Sequence, residues 1–172
     1  MSTHPPRIAV LLPCYNEAAA IAKVVAAFKN ALPTANVYVY NNNSTDNTAE
    51  EASLAGAIVR REPLRGKGNV VRRMFSDIEA DIYVMADGDE TYDPAIAPEL
   101  IRKLACEHLD MVVGSRVATD AQSFRSGHRW GNRMLTGLVK HLFGYGFEDM
   151  LSGYRDHVPA FCQIVSDSLA RL

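Results

Sequence analysis

Two carboxylates stand two positions apart in the sequence Asp87-Gly88-Asp89, directly after the apolar run 82–86. This pattern predicts a buried strand that delivers Asp87 and Asp89 to the edge of a sheet. Hard oxygen ligands on a tight turn suit Mg²⁺ or Mn²⁺ that already carries a diphosphate. Acidic residues and glycine are also ordinary turn formers, so the triplet alone leaves a plain turn open.

Two further polar clusters follow apolar runs. The first, residues 13–17, combines a proline with the ring of Tyr15 and a carboxylate, which could stack on a base and accept from a ribose or base. An ordinary strand-to-helix turn with Asn16 as its cap explains this cluster equally well. The second, residues 41–46, is rich in turn formers. Its Asp46 could bind an amine or ring N–H of a base, or it could only cap the next helix.

Basic residues supply candidate phosphate contacts. Lys67 lies between Gly66 and Gly68 where a helix is predicted to begin, which suits a phosphate, although the spacing of a P-loop is absent. A solvated loop lysine is the alternative. Arg116 directly follows the last predicted strand and is the best candidate among the arginines for contact with a diphosphate or an acceptor phosphate. A solvated helix face is the alternative for any one of these arginines. Asp149, among glycines, is a candidate general base or a simple turn carboxylate.

The sequence that carries these clusters alternates short apolar runs with helical periodicity. Strands are predicted at residues 8–12, 37–40, 57–59, 82–86 and 111–113. The helix that follows the strand at residues 82–86 should bury Ile96, Leu100, Ile101 and Leu104. This order implies an α/β fold with a mostly parallel sheet and helices on both faces. Ligands bind such sheets at the carboxyl ends of the strands, so the three polar clusters should meet along one edge.

Composition excludes several classes of protein. Of 172 residues 48% are hydrophobic, which predicts one domain with a sizeable core. The net charge of −2 argues against nucleic-acid binding. The absence of a transmembrane or signal-peptide pattern predicts a cytoplasmic location, with contact to the cytoplasmic face of a membrane left open. Cys14, Cys106 and Cys162 are widely spaced and predict buried or idle thiols.

Several motifs occur in one order along the chain: LLPCYNE, NNNSTDNT, RGKGN, DGDETYDP, GSR, GNRMLT and DMLSGYR. Together they resemble the family 2 inverting glycosyltransferases with the GT-A (nucleotide-diphospho-sugar transferase) fold. The branch that is similar includes dolichyl-phosphate mannose synthase and bacterial polyprenyl-phosphate glycosyltransferases. The resemblance covers about residues 8–155.

The resemblance implies a nucleotide-sugar pocket lined by Pro13, Tyr15, Glu17, Asn42 and Asp46. It implies further donor contacts from Lys67 and Arg116. Asp87 and Asp89 match the family's Asp-x-Asp, which holds Mg²⁺ or Mn²⁺ and the donor diphosphate. Many relatives carry Asp where Asn41 and Asn42 stand. This leaves the identity of the base open, because an amide both donates and accepts hydrogen bonds whereas an ionised carboxylate only accepts them.

The resemblance also implies an acceptor side. Asp149 falls where the family places a carboxylate that acts as base, and with Asp89 it forms the implied catalytic pair. Arg129 and Arg133 would lie towards a lipid phosphate. The implied reaction moves a sugar from a UDP- or GDP-linked donor to a polyprenyl (dolichyl- or undecaprenyl-type) phosphate or a related glycan acceptor, with inversion.

One domain, 1–172, is predicted. It has a nucleotide-sugar half at about 7–116, an acceptor-side segment at about 117–155 and a tail at 156–172 that departs from the family. A truncation or a disrupted reading frame would explain the tail. The tail predicts a helix, with Phe161, Val165 and Leu169 on one side, that pairs with another chain or lies on a membrane. Two other functions stay open: a nucleotide-sugar-binding module without turnover, and a sugar-phosphate nucleotidyltransferase, whose glycine-rich N-terminal loop is absent here.

Overall fold

The computed structural model describes residues 5–114 and 155–157 of the chain. The strands are β1 (Ile8–Cys14), β2 (Asn36–Asn41), β3 (Ile58–Arg61), β4 (Ile82–Met85), β5 (Met111–Val113) and β6 (Arg155–His157). They form one sheet in the order β3-β2-β1-β4-β6-β5. β1 runs parallel to β2 and β4, and β3 runs parallel to β2, whereas β6 is antiparallel to β4 and β5. The predicted α/β fold with a mostly parallel sheet is confirmed.

β1 is the centre of the sheet, and its sequence explains why. A strand that is covered on both faces needs an unbroken apolar run instead of an alternating one. Val10, Leu11 and Leu12 are all 0% exposed. Val10 stands opposite Val37 of β2 and Val84 of β4, so the three central strands end in register at one edge.

Among residues 5–114, four helices cover the sheet. They are α1 (Ile21–Ala31), α2 (Thr48–Leu54), α3 (Lys67–Asp77) and α4 (Ala97–Cys106), the last of which follows a 3-10 turn at Pro94–Ile96. Side chains of α1, α2 and α4 pack on one face and those of α3 on the other, as predicted. Full burial of a large apolar side chain such as Phe28 or Met74 contributes about 1.5–3 kcal/mol. In the part of the chain that is described, no helix is long and apolar enough to cross a membrane.

The strand β6 was not predicted. It lies between β4 and β5, where Val84 is opposite Asp156 and Val112 is also opposite Asp156. Its residues, Arg-Asp-His, carry no apolar pattern, and the strand is recognised only by its backbone pairing. Residues 156 and 157, the first two of the predicted tail, belong to the sheet.

The predicted burial of Ile96 is wrong. Ile96 is 37% exposed and stands in the 3-10 turn that precedes α4. The α-helix begins one residue later, at Ala97, and the side chain of Ala97, which is 0% exposed, faces the core in place of Ile96. Leu104 is buried and Leu100 and Ile101 pack partly buried against the core, as expected for that side of the helix.

Candidate active site

A cavity of about 300 Å³ opens at the carboxyl ends of β1 and β4. The sequence-predicted site residues that line it are Pro13, Tyr15, Glu17, Asn42, Lys67, Asp87 and Asp89. Cys14, Val70 and Gly88 complete the wall. The expectation that the polar clusters converge on one sheet edge is therefore confirmed in the geometry, although the roles of the individual residues stay predictions.

The first two clusters are bonded directly to each other. The backbone N–H of Asn16 donates to Ser44 Oγ at 3.0 Å, and the N–H of Thr45 donates to Asn16 Oδ1 at 2.8 Å. Asn16 has a φ of 57°, in the left-handed region that asparagine tolerates better than most residues. Its side chain joins two loops, so the alternative of a helix cap at Asn16 does not describe it.

Asp87 and Asp89 follow β4 on one turn. Asp87 Oδ1 forms an ion pair with Lys67 Nζ. Asp89 Oδ1 accepts a bond of 3.2 Å from the N–H of Thr91. Within residues 5–114 and 155–157, no three His, Cys, Asp or Glu side chains are grouped as a metal cage. Two carboxylates fit Mg²⁺ or Mn²⁺ because these ions commonly take their other ligands from water and substrate phosphates.

Glu17 places a further carboxylate beside this pair. Its pKa is raised, first by burial and then by the nearby charges of Asp89, Asp87 and Asp46. Like charges disfavour ionisation, so a cation beside these carboxylates would stabilise their ionised forms. The wall of the cavity next to Glu17 is therefore suited to a divalent ion, and the ammonium of Lys67 neutralises part of the charge of Asp87.

Asp46 does not line the cavity. Its carboxylate accepts from the N–H of Ala18 at 3.1 Å, from the N–H of Thr48 at 3.1 Å and from the Thr48 hydroxyl. The Thr48 hydroxyl is the main reason that the pKa of Asp46 lies below its usual value. The capping alternative is close to what is found: Asp46 holds the first residue of α2, while Asn47 stands at the cap position without a side-chain bond.

Thr48 was missed by sequence reasoning. It is 0% exposed, and its hydroxyl accepts from the N–H of Glu17 at 2.8 Å while it donates to Asp46. The hydroxyl thus links the loop after β1 to the loop after β2. The only signal in the sequence was its place at the end of a run of turn formers, which does not distinguish it from Thr45.

Asn42 lies on the cavity wall but is mainly engaged with the protein. It is 8% exposed, and its Nδ2 donates to the carbonyl oxygens of Glu62 and Leu64 at 2.9 and 2.7 Å. Its Oδ1 accepts from the N–H of Gly66 at 2.8 Å. Both amide hydrogens are used, so any contact of Asn42 with a base is restricted to the remaining acceptor capacity of Oδ1.

Lys67 is the first residue of α3, and the residue before it explains the turn. Gly66 has a φ of 116°, which residues with a side chain rarely adopt. The chain turns there so that Lys67 Nζ meets Asp87, although 53% of the lysine side chain stays exposed. An exposed ammonium beside the N-terminus of a helix can contact a phosphate that enters the cavity.

Cys14 is a free, buried thiol at the end of β1, and Cys106 is free and exposed. Burial is the largest cause of the raised pKa of Cys14. A thiol in this state is not a nucleophile at neutral pH. Cys14 therefore contributes to the site through its volume. The candidate residues Arg116, Arg129, Arg133 and Asp149, as well as Cys162, lie outside the described residues.

The described sheet and its helices have counterparts among solved structures with the GT-A fold. A crystal structure of glucosyl-3-phosphoglycerate synthase from Mycobacterium tuberculosis, in complex with Mn²⁺, uridine-diphosphate-glucose and phosphoglyceric acid, superposes with a TM-score of 0.74 at 25% identity. The match covers 90% of this chain and 57% of that one. The chain thus has the predicted GT-A fold.

The family model for glycosyl transferase family 2 matches residues 9–162, and the chain belongs to this family. Protein RfbJ from Shigella flexneri is 59% identical over 127 residues, which are 73% of this chain and 98% of RfbJ. Glycosyltransferase AglJ from Haloferax volcanii is 38% identical over 157 residues. By class the chain is a glycosyltransferase.

Two facts about coverage bear on this assignment. The chain spans nearly all of RfbJ but only 50% of AglJ, and 33% of a dolichol-phosphate mannosyltransferase from Pyrococcus furiosus that is 28% identical over 117 residues. The family match also continues past Arg155 to residue 162, whereas the sequence motifs end at Arg155. The departure from the family after Arg155 stays a prediction.

Proposed function

We propose that this chain binds a nucleotide diphosphate sugar together with Mg²⁺ or Mn²⁺ and transfers the sugar, with inversion, to a polyprenyl phosphate. The observation that carries the proposal is the convergence of Asp87, Asp89, Glu17 and Lys67 on one cavity at the strand ends. Carboxylates for a cation and an ammonium for a phosphate are the two kinds of group that a metal-bound diphosphate requires.

Within the cavity the side chains divide the donor between them. Tyr15 is 55% exposed and offers an open ring face on which a base can stack. Asp89 and Asp87 hold the ion, and Lys67 moves from Asp87 towards the diphosphate oxygens. A bound Mg²⁺ or Mn²⁺ neutralises the charge that develops on the leaving diphosphate.

The acceptor side rests on residues outside the described part of the chain. We propose that Arg129 and Arg133 hold the acceptor phosphate, that Arg116 contacts the donor, and that Asp149 orients the acceptor or takes its proton. An anionic phosphate needs little deprotonation before it attacks the anomeric carbon. The similarity to a dolichol-phosphate mannosyltransferase supports a polyprenyl phosphate, and such a lipid would bring the chain to a membrane surface.

The base of the donor is proposed from one relative. The Mycobacterium tuberculosis synthase was crystallised with uridine-diphosphate-glucose and Mn²⁺, which favours a uridine nucleotide here. We expect UDP to bind more tightly than GDP. Calorimetry of both nucleotides, with Mn²⁺ and with EDTA, decides this and also shows whether binding depends on the metal.

The test of the whole proposal is transfer from UDP- and GDP-sugars to a short-chain polyprenyl phosphate. Asp89→Asn should abolish Mn²⁺-dependent transfer, while the charge-matched control Asp110→Asn, at an exposed position before β5, should leave it unchanged. Equal transfer by wild type and Asp89→Asn contradicts the proposed site. Nucleotide binding without transfer to any acceptor would instead favour the binding module.

A further inference from the structure

The loop between β3 and α3, residues 62–66, takes its shape from an asparagine that follows β2. Asn42 donates both amide hydrogens to this loop, to the carbonyls of Glu62 and Leu64 at 2.9 and 2.7 Å. Its Oδ1 accepts the N–H of Gly66 at 2.8 Å. These three bonds, from a side chain that is 8% exposed, satisfy backbone groups that no helix or strand satisfies.

Asn43 extends the same arrangement. Its Nδ2 donates to the carbonyls of Pro63 and Glu62 at 2.9 and 3.3 Å. The carboxylate of Glu62 then accepts the N–H of Leu64 at 2.6 Å. Every carbonyl from residue 62 to residue 64 thus accepts a bond from an asparagine amide.

This loop leads directly into the active site. Gly66 precedes Lys67, and Lys67 Nζ pairs with Asp87 on the turn after β4. Asn42 bonds the N–H of Gly66, and Gly66 is the residue directly before Lys67. Gly66 is therefore the one residue between the side chain of Asn42 and the lysine that pairs with Asp87. A change in the shape of the loop moves Lys67 relative to the carboxylates.

We propose that Asn42 is a positioning residue that holds Lys67 at the donor diphosphate through Gly66, and that this role requires a carboxamide. The site needs two donors and one acceptor on one planar group, which is the inventory of an amide. An ionised carboxylate of the same shape has acceptors only and would face two carbonyl oxygens. The diphosphate part of this statement rests on the proposed function.

The requirement for donors predicts a characteristic pH dependence in Asn42→Asp. Burial and the facing carbonyl oxygens raise the pKa of the introduced carboxyl. Below that pKa the group is protonated and can donate one bond to the loop. The defect should therefore be large at alkaline pH and should shrink as the pH falls, whereas Asn42→Ala cannot recover at any pH.

The experiment compares Asn42→Asp and Asn42→Ala with Asn36→Asp, a control at the exposed first residue of β2, the strand that Asn42 follows. The probe is UDP with Mn²⁺, titrated by calorimetry, and each variant is compared with wild type at the same pH. We expect the Kd of Asn42→Asp to rise about tenfold at about pH 8 and about threefold at about pH 5.5. Asn42→Ala should show about tenfold at both, and Asn36→Asp no change.

Two results would overturn the proposal: binding by Asn42→Asp equal to wild type at the higher pH, or a defect in Asn42→Asp that is independent of pH. If Asn42→Asp does not fold, Asn43→Ala replaces it. That variant loses weaker bonds from a less buried side chain, and its Kd should rise about two- to threefold. An unchanged Kd in Asn43→Ala counts against the proposal.

Amide hydrogen exchange of the nucleotide-free protein tests the positioning role without the proposed function. In Asn42→Ala the exchange of Gly66 and Lys67 should accelerate about five- to tenfold relative to wild type, with little change in β1. Unchanged exchange refutes the role of Asn42. A wild type that binds no nucleotide refutes the proposed function instead, and the exchange result still decides how the loop is held.

Discussion

The Sγ atom of Cys14 lies 2.6 Å from the point where a β-carbon on Gly88 would stand. Gly88 separates Asp87 from Asp89, so the thiol at the end of β1 fixes how closely the acidic turn approaches the sheet. The glycine φ is not in the left-handed region, and the restriction is therefore steric.

The first prediction follows from this contact. Gly88→Ala should displace the acidic turn, lower the free energy of unfolding by about 1–3 kcal/mol, and weaken Mn²⁺-dependent nucleotide binding. Cys14→Ala removes the obstructing sulfur, so the double variant Cys14→Ala/Gly88→Ala should recover most of the binding. Urea unfolding and calorimetry on all four proteins form a double-mutant cycle. Additive effects would show that the two positions do not compete for space.

The second prediction concerns the ion pair between Lys67 and Asp87. Lys67→Ala should weaken UDP binding in the presence of Mn²⁺ about tenfold, because a charge-assisted contact to the diphosphate is lost. The same variant should bind Mn²⁺ alone more tightly than wild type, because Asp87 no longer has a competing cation. Electron paramagnetic resonance of free Mn²⁺ measures the second quantity. The control is Lys103→Ala, at an exposed position of α4, which should change neither affinity. If Lys67→Ala weakens the binding of UDP and of Mn²⁺ alone equally, the assignment is contradicted.

The third prediction concerns the buried hydroxyl of Thr48. Thr48→Val keeps the shape of the side chain but leaves the N–H of Glu17 and the carboxylate of Asp46 without this partner. We expect a loss of about 1–3 kcal/mol in the free energy of unfolding. Thr45→Val, at an exposed position with a longer 3.3 Å hydroxyl contact, should change it by less than about 0.5 kcal/mol. Similar losses in the two variants would refute a special role for Thr48.

The fourth prediction is a pH dependence at Glu17. Its folded-state pKa lies above the ordinary value of 4.5, so ionised Glu17 costs stability above that pH, and the cost is complete once the pH exceeds the folded-state pKa. Glu17→Gln should therefore raise the Tm of the metal-free protein near neutral pH and change it little near pH 4.5.

The matched control for Glu17 is Glu79→Gln, an exposed carboxylate before β4 that does not line the cavity. It should not reproduce the pH-dependent gain in Tm. With Mn²⁺ and UDP present the effect at Glu17 should reverse, because the cation then stabilises the ionised carboxylate of the wild type. A gain in Tm that persists with the ligands bound would argue that Glu17 does not face the ion.

The sequence was sufficient for features that depend on patterns of neighbours. Apolar runs located β1 and β4, and the Asp-Gly-Asp triplet after β4 located the cavity, because strand ends and turns are local properties. The sequence was insufficient where the local structure depends on residues that are far away along the chain. The three polar residues of β6 form a strand only because β4 and β5 leave a place for them. Likewise, nothing near Asn42 in the sequence indicates that its partners are twenty or more residues away.

The position of β6 has a consequence for the order in which the molecule is assembled. Among the described strands, β5 pairs only with β6, and Tyr83 of β4 is paired with His157. During synthesis β5 therefore leaves the ribosome before its partner strand and stays unpaired until residues 155–157 have been made. Closing so long a loop is slow compared with local pairing. The cavity, which is lined by residues of β1, of α3 and of the turns after β1, β2 and β4, can form before that loop closes.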